Sequence, residues 1–128
     1  MSTLVRHAAW VLVVTFAISV AYELWRATAK AGTSRHDTMS NLLWGVVLYG
    51  VSAAVIVALF LNAVWAPWAG LVLSAGWILN SIFYYNPTIM LERHPGVIDW
   101  IEDLAFTGLL FVAATLLLYH VLGMELVS

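Results

Sequence analysis

Between Thr38 and Leu91 the chain runs for 54 residues without one Asp, Glu, Lys or Arg. As a single helix rising about 1.5 Å per residue, that run would reach roughly 80 Å, whereas a bilayer core is crossed by about 20 apolar residues. The run must therefore turn back on itself within an apolar medium. Composition agrees, because 63% of the 128 residues are hydrophobic and only 9% are charged, against about 25% charged in an ordinary soluble domain. A soluble globule and a disordered chain are both excluded, since disorder needs low hydrophobicity and high net charge. Five basic residues against seven acidic ones give no electrostatic footprint for nucleic acid. The absence of Cys removes disulfides, thiolate metal sites and iron–sulfur clusters. No cofactor is expected.

The predicted fold is an all-α integral membrane bundle of four transmembrane helices in one domain, with short loops and one short interfacial turn. The first span covers about residues 8–25, between Arg6 and the polar segment that follows Trp25. Its basic flank and the small residues after it also fit a signal peptide, but it is read here as a true span. Pro67 suits the first turn of a helix and pushes Ala66 out of the helical region. Trp65 to Trp68 therefore reads as a tight hairpin between spans of about 41–64 and 67–85. Asn86-Pro87 closes the third span, and Pro87 to Glu92 reads as a turn of interfacial helix. The fourth span covers about 100–122. Six of the seven Trp fall near these limits, where aromatic belts sit, and only Trp77 is central.

Lys and Arg in short loops set orientation. Arg26, Lys30, Arg35 and Arg93 lie in the first and third loops, and only Arg6 lies on the other side. This predicts a prokaryotic cell-membrane protein with both termini outside.

Asp99 and Glu102 have the spacing of a capping box, with Asp at the N-cap and Glu at the third position, so both read first as helix-start residues. Asp103 lies deeper. Glu23, near the end of the first span, is costly inside a membrane and hence a functional candidate. It could also pair with Arg26 on the same helix face. Polar residues recur at helical spacing, with Ser74, Trp77, Ser81 and Tyr84 on one face and Asn80 beside them. Most of these are expected to mark helix–helix contacts. Because successive spans reverse direction, however, Glu23, Tyr49, Asn80, Tyr84 and Asp103 should lie at one level. An amide cannot face lipid unbonded, so Asn80 is expected to point inward. Glu23, Asp103 and Asn80 are the candidate catalytic residues, and Tyr49, Trp77 and Tyr84 the candidate pocket lining. His7 and His120, near the outer ends of the first and fourth spans, are a weaker pair of metal or haem candidates.

Three functions compete. The first is a non-catalytic structural or accessory subunit of a membrane complex or homo-oligomer, its partners being membrane lipids, other subunits or a second copy. It ranks first because there is almost no mass outside the spans and no catalytic motif. The second is a membrane-embedded acid–base enzyme, an isomerase or cyclase, acting on an isoprenoid-like substrate. The third is a small proton- or cation-coupled transporter.

Overall fold

The computed structural model describes residues 2–124, and these are all helix and connecting turns. Helix α1 spans Thr3–Thr28, α2 spans Met39–Phe60, α3 spans Ala66–Asn80 and α4 spans Val97–Val121. Between α3 and α4 the coil continues without a break as a π-helical segment, Ser81–Met90. Taken with α3 it forms one 25-residue element, and all four elements are long and apolar enough to cross a membrane. Each helix packs on its sequence neighbours and α1 also packs on α4, which closes an antiparallel four-helix ring. The α1–α4 seam is the most extensive and the α2–α3 seam the most open.

Local chemistry explains where each helix starts and stops. Ser2 caps α1 by accepting the Val5 N–H at 3.1 Å, and Thr38 caps α2 by accepting the Asn41 N–H at 3.1 Å. Helix α2 stops at Phe60 because Asn62 turns left-handed, with φ 60°, a conformation Asn tolerates better than most residues. The hairpin is therefore centred on Asn62, several residues before Trp65–Trp68. Ala66 is helical and buried, and Pro67 takes the second position of α3, where no intrahelical donor is required.

Asn86-Pro87 does not end the third helical element, which runs on to Met90. A proline inside an α-helix removes a hydrogen bond and clashes with the carbonyl four residues back. The wider π coil, bonded i to i+5, accommodates Pro87 without a break. The expected interfacial turn is thus mostly the last turn of that continuous element. Helix α4 likewise starts three residues earlier than the capping-box spacing predicted. Gly96 is its N-cap, and Asp99, now at the third position, accepts the Gly96 N–H at 2.7 Å.

The apolar core lies at the end of the bundle that carries the Asn62 turn. Leu4, Leu12, Leu59, Ala66, Ala113 and Leu117 have essentially no exposed surface. A methyl group added at Gly70 would stand 2.9 Å from Leu117 Cδ1, so α3 and α4 approach as closely as they do because that residue has no side chain. The opposite end carries the two longer connections, 29–38 and 91–96, and is called the loop end below.

Candidate functional site

The loop end is held by buried ions. Arg26, in the last turn of α1, donates from Nε and Nη2 to the two carboxylate oxygens of Asp37, at 2.9 and 2.6 Å. Its Nη1 reaches Asp99 Oδ1 at 3.4 Å, and the Tyr22 hydroxyl donates to the same oxygen. Asp37 has no exposed surface and is further bonded by Ser34 Oγ at 2.9 Å. The tight turn that returns Asp37 to the bundle needs a left-handed residue, supplied by Gly32 at φ 81°.

Arg93 is only 1% exposed and is the hub of this end. Its Nη1 and Nη2 donate to Glu23 Oε1 and Oε2 at 3.0 and 2.9 Å. Nη1 also reaches the Tyr85 hydroxyl at 2.9 Å, Nη2 reaches the His36 carbonyl at 3.2 Å, and Nε lies 3.0 Å from Asp37 Oδ1. Burial alone would weaken the guanidinium's hold on its proton, but the paired Glu23 carboxylate outweighs burial and holds its pKa above the usual arginine range. Glu23 therefore pairs with Arg93, seventy residues away, and not with Arg26 on its own helix face. Farther out, exposed Arg35 and half-buried His36 both bond Glu92.

Above this network, towards the middle of the bundle, lies a cavity of about 50 Å³. Glu23, Tyr49, Trp77, Asn80 and Asp103 all line it, together with Glu102, Tyr85 and Ser81. Asp103 is buried and anchored, its Oδ1 accepting from Ser81 Oγ at 3.3 Å and its Oδ2 from Asn86 Nδ2 at 3.2 Å. Ser81 in turn meets Thr107 at 2.8 Å. Glu102 faces the same cavity, and among the described residues its carboxylate has no hydrogen-bond or ion-pair partner. The roof is aromatic. Trp77 stacks on Tyr49 at 5.9 Å and meets Phe16 and Phe106 edge-on. Trp77 Nε1 donates to Ser52 Oγ at 3.0 Å, and the Tyr49 hydroxyl shares a 2.7 Å bond with Ser19.

A second hollow of about 120 Å³ shares Glu23, Tyr49, Trp77 and Tyr85 with the first and opens between α2 and the π segment, past Gly45 and Ile89. A third, of about 240 Å³, lies between α2 and α3 and reaches Asn80 past Leu48 and Gly76. The cavity is thus approached sideways through the loosest seam of the bundle.

One expected lining residue is placed differently, and another stands nearer the surface than expected. Tyr84 is 57% exposed and does not line the cavity; Tyr85 takes its place. The α-helical series Ser81, Tyr84 holds only while the helix is α, and the i to i+5 coil brings Tyr85 and Asn86 round to the face of Ser81. Asn80 lines the cavity but is itself exposed, where the cavity meets the lateral hollow between α2 and α3; the amide bonded to Asp103 is Asn86. Glu102 was passed over because the capping spacing assigned it to the start of α4, and the earlier start releases it. Arg93 was legible only as a loop charge.

At the far end, His7 is exposed and His120 Nδ1 lies 3.1 Å from Ser2 Oγ. Among the described residues no group of three or more His, Asp or Glu is placed to hold a metal ion. No family model, curated protein or solved structure matches the chain.

Proposed function

We propose that this is an integral membrane protein with an acid–base site for a lipophilic, isoprenoid-like molecule that enters from the bilayer between α2 and the third span. The observation that carries the reading is the pair Glu102 and Asp103, adjacent carboxyl groups on one cavity in unlike surroundings. Asp103 is fixed by two donors, while Glu102 has no hydrogen-bond or ion-pair partner among the described residues. Carboxyl groups held differently at one site are a common basis for dividing acid and base roles. Isomerisation of an alkene would use both: one carboxylic acid adds a proton to carbon, the other carboxylate removes one from a neighbouring carbon, and no oxidant or co-reactant is consumed. Trp77, Tyr49 and Phe106 present the aromatic faces that stabilise the intervening cation.

Size sets the division of labour. A water fills about 10–15 Å³ on the scale that gives the cavity about 50 Å³. Only the reacting end of a substrate fits there, and its tail must occupy the lateral hollows. The test is hydrogen exchange: purified protein and membrane lipid extract are incubated in deuterated buffer. Carbon-bound deuterium should appear in one lipid and fall by about 10²-fold or more in Glu102→Gln and in Asp103→Asn. Lipids that stay unlabelled in the wild type would overturn the reading.

The accessory-subunit reading is favoured by that same small volume, and a stoichiometric membrane partner purified with unlabelled lipid would establish it. A pore through one copy is disfavoured, because Phe16, Trp77 and Phe106 and the apolar core close the cavity on its far side. The basic bias of the loop end favours a cytoplasmic location for it, with the termini outside. A cysteine placed at Ser2 should then label from outside intact cells and one at Ser34 should not, and the reverse pattern would invert the topology.

A further inference from the structure

A separate cavity of about 410 Å³ opens at the loop end, on the opposite side of the ion network from the acidic one. Its wall includes Lys30, Thr33, His94, Gly96, Val97 and Ile98, backed by Arg26 and Arg93. The two arginines are offset by Asp37, Glu23 and Asp99. Lys30 is different. It is exposed, sits 5.6 Å from the centre of the Trp25 ring and forms no ion pair among the described residues. The first turn of α4 adds the Val97 and Ile98 N–H groups, which have no carbonyl to bond within the helix. Asp99, also on the wall, is occupied by Tyr22, Arg26 and the Gly96 N–H.

This chemistry suits a phosphate monoanion, which could be free phosphate or part of a lipid. A further observation separates the two. Val97 and Ile98 are 75% and 61% exposed at the mouth, and Ile101 and Leu104 continue the apolar strip along the outside of α4. An anion held at Lys30 would have hydrocarbon-compatible surface running from it into the span. Basic pockets beside membrane helices are a recurrent binding place for anionic headgroups.

We propose that this cavity holds the headgroup of an anionic phospholipid, with its phosphodiester against Lys30 and the α4 N-terminus and an acyl chain along Ile98, Ile101 and Leu104. It is a site distinct from the acidic cavity and does not depend on that cavity's chemistry.

The full chain in mild detergent is titrated with phosphatidylglycerol, phosphatidylcholine or inorganic phosphate, and bound lipid is counted by native mass spectrometry. Phosphatidylglycerol should bind several-fold more tightly than phosphatidylcholine. Lys30→Gln should weaken phosphatidylglycerol about fivefold, from the attraction expected of one basic residue near an anionic surface. Arg6→Gln, a basic residue at the other end, should leave it unchanged, and Ile101→Ser should weaken phosphatidylglycerol as well. Equal binding of the two lipids, or an unaffected Lys30→Gln variant, would overturn the site. Competition by millimolar phosphate to the same degree as by phosphatidylglycerol, with Ile101→Ser silent, would overturn the lipid assignment.

Discussion

The two ends of the bundle are held by opposite means. At the turn end, four helices meet through Leu12, Leu59, Ala66, Leu117 and the bare backbone of Gly70, with no ion pair among the described residues. At the loop end, two guanidinium groups and three carboxylates are taken out of solvent together. In a bilayer, lipid would offer helices no hydrophobic reason to associate, and on the proposed membrane reading close packing serves at the first end and bonded charge at the second. The cavity lies where the two regimes meet. Close packing has ended there, and Glu102 and Asp103 extend the acidic groups beyond the last available cation.

The comparison is broken most severely at Arg93. Arg93→Met should cost about 3–5 kcal/mol, because Glu23 would lose its cation and Asp37 would keep only Arg26. Thermal unfolding in detergent measures this, and a loss below about 1 kcal/mol would mean that water can replace the guanidinium.

At the other end, Gly70→Val forces side-chain atoms onto Leu117 and Leu59. Overpacking of this kind should cost about 1–3 kcal/mol. The two variants together sharpen the contrast: Gly70→Val should leave phosphatidylglycerol binding intact, since its effect is confined to the far seam.

The smallest effect belongs to the exposed charges. Hydrogen bonds from Arg35 and His36 hold the Glu92 carboxyl below the usual glutamate range. A depressed folded pKa stabilises above the unfolded value, and that contribution is lost as the pH falls through the folded one. Glu92→Gln should therefore lower the melting temperature slightly at neutral pH and flatten its decline below about pH 4.5, near the unfolded glutamate value. Identical acid limbs for the two proteins would show that this ion pair adds nothing.

Much of the architecture could be read from charge spacing alone. The uncharged run demanded a turn, and Asp37 and Glu92 bracket the two helical elements it forms, whereas Arg6 and Glu23 lie inside the longer α1. The boundaries were less legible because two signals compete at each. Asn62 and Pro67 both punctuate the first hairpin, and the left-handed Asn62 acts earlier. Pro87 reads as a stop in any α-helix, and nothing local announces a coil wide enough to absorb it. The cavity inherits these shifts. Glu23, Tyr49, Trp77 and Asp103 lie on regular helix and were found by periodicity and depth. Tyr85, Asn86 and Glu102 lie just past an irregularity, where counting by 3.6 points to the wrong neighbour. The Glu23–Arg93 pair is seventy residues apart and left no local trace.

That separation bears on how the chain is assembled. A polypeptide emerges from the ribosome in order, so Glu23 and Asp37 are made before the guanidinium that joins them exists. Until Arg93 has been synthesised, and the third span has placed it, the first helix has no bond to the later half of the molecule at the loop end. Synthesis is gradual, but the loop end locks late, first through Arg93 and then through Asp99, which Tyr22 and Arg26 bond.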